Sequence, residues 1–507
     1  MNIDNVTPSE SRRALTNSTL AFTVCFAVWT IFSIIGVKIK AELGLNDTQF
    51  GILVATPILT GSLSRLFLGV WTDQYGGRLV FTIQMLATSF AAYLLTLVST
   101  YPMFLLAALG VGLAGGSFAV GVAYVSSFYP KEKKGTALGI FGVGNVGAAV
   151  TNFGAPILMA AMGGAWQSVA QIYAIVLAVT AVLFYIFSKD DPALAERKKS
   201  GAKPPTLAEQ MKPMGNQQVW RFSLYYFFVF GAYVALALWL PRYYVGVYGL
   251  ELATAGMLAA CYALPGSVFR ALGGWMSDKY GARGVMYMTF IFSLICTFIL
   301  SYPSTEYTVA GVEGPINFEL TIPLWLFVTL TIILGFFMSL GKAAVYKHIP
   351  VYYPNQVGSV GGFVGLVGGL GGFILPICFG IMNDLTGVWT SCFMLLTILV
   401  AAALIWMHMA INRSLKVRHP EMRGPKFLPE LEAMHKDTMA IYAQSVEKRT
   451  ESKILEAKSK ELHEQSALLH AQSESLYKES EALLKKSEKS KEKAKTKKKA
   501  AKNKSKK

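Results

Sequence analysis

The chain has 507 residues, 53% of them hydrophobic and only 15% charged, with a formal net charge of +17. Apolar stretches approaching the roughly 20 residues that a helix needs to cross a bilayer exclude an ordinary soluble domain. Much of the positive charge follows Lys485, in a tail of different composition, so the basic balance does not point to nucleic-acid binding.

In chain order, twelve membrane spans are expected. The first six lie near 16–38, 50–71, 79–99, 102–127, 136–159 and 168–188, within an N-terminal bundle 1–188. A polar linker, 189–219, carries KDDP and RKKSGAKPP. The second six lie near 220–245, 252–276, 284–302, 321–346, 357–381 and 388–411, within a C-terminal bundle 220–412. A tail occupies 413–507. Arg12, Arg13, Arg78, Lys131, Lys133, Lys134, Arg197, Lys198, Lys199, Lys203, Lys279, Arg283 and Lys347 fall on one side, against Lys38, Lys40 and Arg242 on the other. The excess of cations on one side predicts that both termini are cytoplasmic.

Within the second span, GSLSRLFLGVWTDQYGGR (Gly61–Arg78) returns as GSVFRALGGWMSDKYGAR (Gly266–Arg283), at a constant offset of 205 positions. The chain therefore reads as two copies of a six-span unit. Parallel repeats of this kind mark the major facilitator architecture, an all-α membrane fold with its site between the halves. The shared ending, Gly69, Asp73 and Arg78 in one copy and Gly274, Asp278 and Arg283 in the other, is expected to act in gating. Its glycines permit a tight turn. Its carboxylates can cap a helix or pair with the arginines across a gate between the halves.

Arg65 and Arg270 each precede the loop aspartate by eight residues. At 1.5 Å of rise per residue they lie about 12 Å deeper, close to a midplane about 15 Å from the interface. Snorkelling from that depth is a stretch, and no Asp or Glu occupies the middle of any span to pair with them. Two such cations point to an anion as ligand.

The fifth span is glycine-rich, ALGIFGVGNVGAAVTNFGAP (Ala137–Pro156), as is the eleventh, GSVGGFVGLVGGLGGFILP (Gly358–Pro376). Gly142, Gly144, Gly147, Gly365 and Gly368 let backbones approach and slide, and Asn145 offers an amide in an apolar wall. Lys342, Lys347 and His348, at the inner end of span ten, are the candidates for proton coupling, with interfacial lysines the plainer alternative. The five cysteines lack metal-type spacing and read as packing residues, and no nucleophile elbow, P-loop or zinc motif occurs. Neither an enzyme, a metal nor a cofactor is expected.

The wording FAVWTIFSIIG, ATPILTGSLSRL, TDQYGGR, GGSFAVGVAYV, GTALGIFGVGNVGAAVT, KAAVYKHIPVYYP and GGLGGFILP resembles the nitrate/nitrite porter family over residues 16–412. More narrowly it is similar to the bacterial branch associated with nitrate/proton symport. The resemblance implies that Arg65 and Arg270 clamp the anion, that Asn145 hydrogen-bonds it, and that Phe118 stacks on its plane. Tyr226 and Phe230 match the seventh-span contacts. The second glycine signature has no asparagine matching Asn145, so an asymmetric site is expected. A planar guanidinium fork suits planar nitrate.

The resemblance implies transport of nitrate and nitrite across the inner membrane with protons. Two uncompensated arginines, which disfavour switching when empty, point instead to nitrate/nitrite exchange. A carrier of another small anion such as formate or oxalate, and a scaffold acting through its tail, are the remaining alternatives. In that tail serines recur at 445, 452, 459, 466, 473, 480 and 487, and leucines at 455, 462, 469, 476 and 483. The period of seven predicts a weak Leu/Ser seam capable of self-association. The lysine-dense end is expected to attract anionic lipid headgroups.

Overall fold

The computed structural model describes residues 7–129, 131–190, 192, 212–353, 357–418 and 429–504. Among the described residues, twelve helical spans are long and apolar enough to cross a membrane. Spans 1 to 6 are Pro8–Leu43, Asp47–Gly69, Gly77–Leu97, Tyr101–Ser127, Ala137–Ala161 and Trp166–Phe187. Spans 7 to 12 are Gln217–Tyr248, Leu252–Tyr280, Ala282–Leu300, Leu324–Ile349, Val360–Thr386 and Ser391–Arg413. Most of the linker, residues 191 and 193–211, lies outside the described residues. Residues Met1–Ala410 form one compact unit and Ile411–Lys507 a second.

Local chemistry sets the ends of these helices. Span 1 opens on a capping box in which the Thr7 hydroxyl accepts from the Glu10 N–H and the Glu10 carboxylate accepts from the Thr7 N–H. Asn46 and Gln49 form another at the start of span 2. Gly76 and Gly281, in the duplicated loops, have φ of 89° and 83°, a backbone region that favours glycine. Span 1 is longer than its apolar core suggests and breaks at Thr30–Ile31, where the Thr30 hydroxyl donates to the Phe26 carbonyl.

One element has no counterpart among the expected ones. Between spans 9 and 10, Thr305–Gly311 and Gly314–Leu320 pair as an antiparallel hairpin with Thr305 opposite Leu320 and the Tyr307 and Phe318 rings stacked at 5.4 Å. Its sequence reads as a long loop, because the stretch is too short and too mixed for a span. The hairpin also resets the repeat: Tyr101 and Leu324, which begin spans 4 and 10, lie 223 positions apart, against 205 for Arg65 and Arg270.

The two sets of six spans meet through small residues and one charged junction. A methyl on Gly51 of span 2 would collide with the Pro376 carbonyl of span 11, and one on Gly256 of span 8 with the Asn152 carbonyl of span 5. Asn152 donates to the Ala237 carbonyl at 3.1 Å and accepts from Ser33 at 2.6 Å. At this end Asp47 receives Lys40 (3.0 Å), Arg242 (3.3 Å) and the Asn383 amide (2.5 Å), while Asp384 accepts the backbone N–H groups of Asp47 and Thr48. Arg242 also lies over the Trp389 ring, 4.5 Å from its centroid.

At the opposite end Arg78 bonds the Tyr185 carbonyl and Asp190 of the linker, Asp278 pairs with Lys347, and Arg283 bonds the Tyr352 hydroxyl. The Asp73 side chain lies outside the described set. A methyl on Gly69 or Gly274 would meet nothing within 4 Å, so neither glycine is needed for close packing.

In the second unit, Pro429–Lys504 is one 76-residue helix. The leucines of the seven-residue seam are exposed along it, and Glu481 pairs with Lys485 one turn on.

Asp47 thus offsets two part-buried cations with one carboxylate. Asp47→Asn keeps the shape and leaves both cations uncompensated, a loss on the order of 3 kcal/mol. A lowered Tm of the purified protein checks it.

Candidate functional site

Span 2 is a continuous helix, Asp47–Tyr75, and carries Arg65 into the middle of the bundle at 8% exposure. Its Nε donates to the Gly115 carbonyl of span 4 (3.2 Å) and its Nη1 to the Gly365 carbonyl of span 11 (3.1 Å). Three aromatic rings surround its guanidinium carbon: Phe118 and Phe230, each at 5.5 Å, and Trp29 at 5.8 Å. Span 8 presents Arg270 differently. Its helix is interrupted, Pro265–Val268 and then Arg270–Tyr280, with Phe269 at the joint. Arg270 is 7% exposed; its guanidinium lies 5.7 Å from the Phe118 ring and 5.8 Å from that of Tyr346, and its Nη1 has no acceptor. Both guanidiniums thus approach the same Phe118 ring, at 5.5 and 5.7 Å. Among the described residues neither arginine has a carboxylate partner.

Each arginine reaches the glycine-rich span of the opposite half. Arg65 bonds Gly365, and a methyl on Gly142 would sit 3.1 Å from Arg270 Nη1. Gly142 and Gly365 are themselves 223 positions apart, so the two approaches are counterparts under the repeat. The other glycines divide by what they touch. Gly144 and Gly147 seat span 5 against Phe22 and the Thr23 carbonyl of span 1, which is packing within one half. Gly368 seats the Tyr226 ring. Asn145 is 1% exposed, and both its amide oxygen and nitrogen lack a partner. A buried amide left so costs on the order of 1–3 kcal/mol. The repeat counterpart of Asn145 is Gly368, so the site is asymmetric.

The Major Facilitator Superfamily model matches residues 18–313 and 310–461. The probable nitrate/nitrite antiporter NarK1 of Thermus thermophilus is 44% identical over 80% of this chain and 92% of its own length. The nitrite extrusion protein of Bacillus subtilis (strain 168) is 30% identical over 78% and 94%. The chain belongs to the nitrate/nitrite porter family of the Major Facilitator Superfamily. Its fold is also that of a bacterial homolog of the human lysosomal transporter Spinster, in an inward-facing, unoccupied conformation. The TM-score is 0.64 at 16% identity, over 83% of this chain and all of the other. A mutant of the nucleoside transporter NupG matches at TM-score 0.60 and 12% identity, over 78% and 99%.

In this porter Tyr226 and Phe230 lie where span 7 widens into a π-helical turn, Phe227–Ala232. Such turns redirect side chains, and the two rings stack at 5.1 Å with 10° between their planes. Tyr346, absent from the expected contacts, packs on Tyr226 at 5.0 Å and on Arg270, and donates to the Gly361 carbonyl. Its signals in the sequence are its place a turn after Lys342 and within the KAAVYKHIPVYYP stretch. Ser62, one turn before Arg65, is also absent from the expected site; its hydroxyl is buried without a partner, against Gly369.

The three coupling candidates separate. Lys342 is fully buried, donates to the Gly266 carbonyl (2.8 Å) and lies 3.0 Å from the Tyr233 ring centroid. Lys347 is half-exposed in its pair with Asp278. His348 is buried and stacks on Phe222 at 5.4 Å, with 8° between the rings.

What assembles is two desolvated guanidiniums, one unpartnered amide and aromatic walls. That is an environment for a small planar anion. The glycines can be tested without a ligand. Gly368→Ala forces Tyr226 off its stack on Phe230, and a Tm several degrees below wild type is expected. Gly362→Ala meets nothing within 4 Å and should leave the Tm unchanged.

Proposed function

We propose that this porter carries nitrate, and with it nitrite, across the inner membrane by alternating access, with proton symport. The single observation that carries the reading is the pair of buried guanidiniums, one from each half. They approach the same Phe118 ring with no carboxylate among the described residues to neutralise them. The printed names of the curated relatives point to the same substrates. Arg65 and Arg270 grip opposite sides of the anion, Asn145 supplies its amide, and Phe118, Phe230 and Tyr226 form walls that favour a flat ion over a tetrahedral one. The basic side of the chain, and both termini, face the cytoplasm by the charge rule. The Asp47 junction then closes the outer end, and the lysine-dense tail lies against anionic lipid.

Exchange of nitrate for nitrite is the second reading, favoured by the antiporter name of the Thermus thermophilus relative. Uptake into vesicles that hold no internal nitrite separates the two: accumulation driven by a pH gradient alone supports symport.

The first test is nitrate-dependent thermal stabilisation of the purified protein; its absence sinks the substrate assignment. Lysine keeps the charge of arginine but loses the planar fork. Arg65→Lys and Arg270→Lys should each weaken nitrate binding by more than about tenfold at normal membrane levels, since each removes a charge-assisted paired contact. Asn145→Ala should weaken binding by about 1–3 kcal/mol, read by the same titration. Near-normal binding in both lysine variants would show that the arginines merely balance charge.

A further inference from the structure

Lys342 breaks the symmetry of the repeat. Under the offset of 223 positions its counterpart in span 4 is Ala119, so the second half holds a cation in its core that the first half lacks. The side chain is 0% exposed. Its Nζ donates to the Gly266 carbonyl, in the short helix that ends two residues before Arg270, and it lies 5.9 Å from the Phe230 ring whose centroid is 5.5 Å from Arg65. Among the described residues, Tyr233 of span 7 faces it directly, Arg270 of span 8 acts on it through its charge, Tyr262 of span 8 packs on Tyr233, and Phe230 touches both it and Arg65. Tyr346, Lys347 and His348 follow it on span 10. No carboxylate among the described residues pairs with Lys342.

We propose that Lys342 is the proton carrier of this porter, its amine taking a proton as nitrate enters the arginine pair and releasing it as nitrate leaves. The inference rests on nitrate being the substrate. With the site empty, the buried ammonium is opposed by its own desolvation and by the Arg270 guanidinium. Nitrate at the arginine pair brings a negative charge that removes part of that opposition. The proton comes from the water on the side to which the site is open and goes to the Nζ lone pair. It returns to the water on the other side when the anion departs. The neutral amine still has an N–H to give Gly266, so the contact at the helix break survives both states. The ammonium gains the Tyr233 face as well. By linkage each ligand strengthens the binding of the other by the same factor, which makes anion and proton travel together without a carboxylate in the membrane.

The sign follows directly: nitrate binding takes up a proton, so nitrate affinity rises as pH falls, by at most about tenfold per pH unit for one coupled proton. The test uses the full-length purified protein in weakly buffered solution with a pH dye, titrated with sodium nitrate. Wild type should take up about one proton per nitrate bound, and should accumulate nitrate in vesicles under a pH gradient. Lys342→Met and Lys342→Gln should still be stabilised by nitrate, but with midpoints that no longer move between pH 6 and pH 8. They should neither take up a proton nor respond to the gradient. His348→Gln should behave as wild type in the proton measurement. A wild type that binds nitrate without taking up a proton overturns the assignment, as does retained uptake in either Lys342 variant or its loss in His348→Gln. If both Lys342 variants fail to insert, the wild-type proton count still decides. A wild type that nitrate does not stabilise overturns the substrate reading and this inference with it.

Discussion

A guanidinium that has left water and, among the described residues, found no carboxylate is the condition around which this bundle is built, and Arg65 and Arg270 both meet it. Desolvation of such a group costs several kcal/mol unless other dipoles stand in for water. For Arg65 the substitutes are two glycine carbonyls and three aromatic faces; for Arg270 they are fewer, and one of its nitrogens is left without an acceptor. The first cation is therefore largely accommodated by the protein and the second is not. On the proposed function, the difference is the room left for the anion, with Arg65 fixed and Arg270 held at a helix break next to a buried lysine.

The glycine-rich spans follow from that condition. A backbone carbonyl can serve an arginine of the facing half only if no side chain stands between them, which is the state of Gly365 before Arg65. Gly142 leaves the same kind of room before Arg270. Other glycines in the same segments serve ordinary helix contact, against Phe22, the Thr23 carbonyl or Tyr226. One composition thus has two uses within a few residues. A sequence pattern records only that side chains are missing, and the neighbour decides which use applies.

What was legible in the sequence was what repeats or what is long. Twelve apolar runs give twelve helical spans, and a constant offset ties Arg65 to Arg270. The buried Asn145 was visible as an amide in an apolar segment. The break before Arg270 was not legible, because neither Pro265 nor Phe269 distinguishes a broken helix from a continuous one. The wide turn at Phe227–Ala232 is invisible for the same reason. The loop contacts were not legible either: Asp278 pairs with Lys347 and Arg78 with Asp190, partners that the repeated motif does not mark. Tyr346 reaches the site through a spacing along one helix that many non-functional tyrosines also have.

Asp47 touches the chain at Lys40, Arg242 and Asn383 at once, joining spans of both halves through one carboxylate. On the proposed alternating access, how strongly the bundle stays closed at that end is set by this cluster, 18 residues before Arg65 on the same helix. A protein that binds its ligand in only a fraction of its conformations shows an affinity reduced by that fraction. Sequence changes around Asp47 can therefore retune the concentration at which the porter works while every residue at the arginine pair stays as it is, giving evolution a dial for affinity that leaves selectivity untouched.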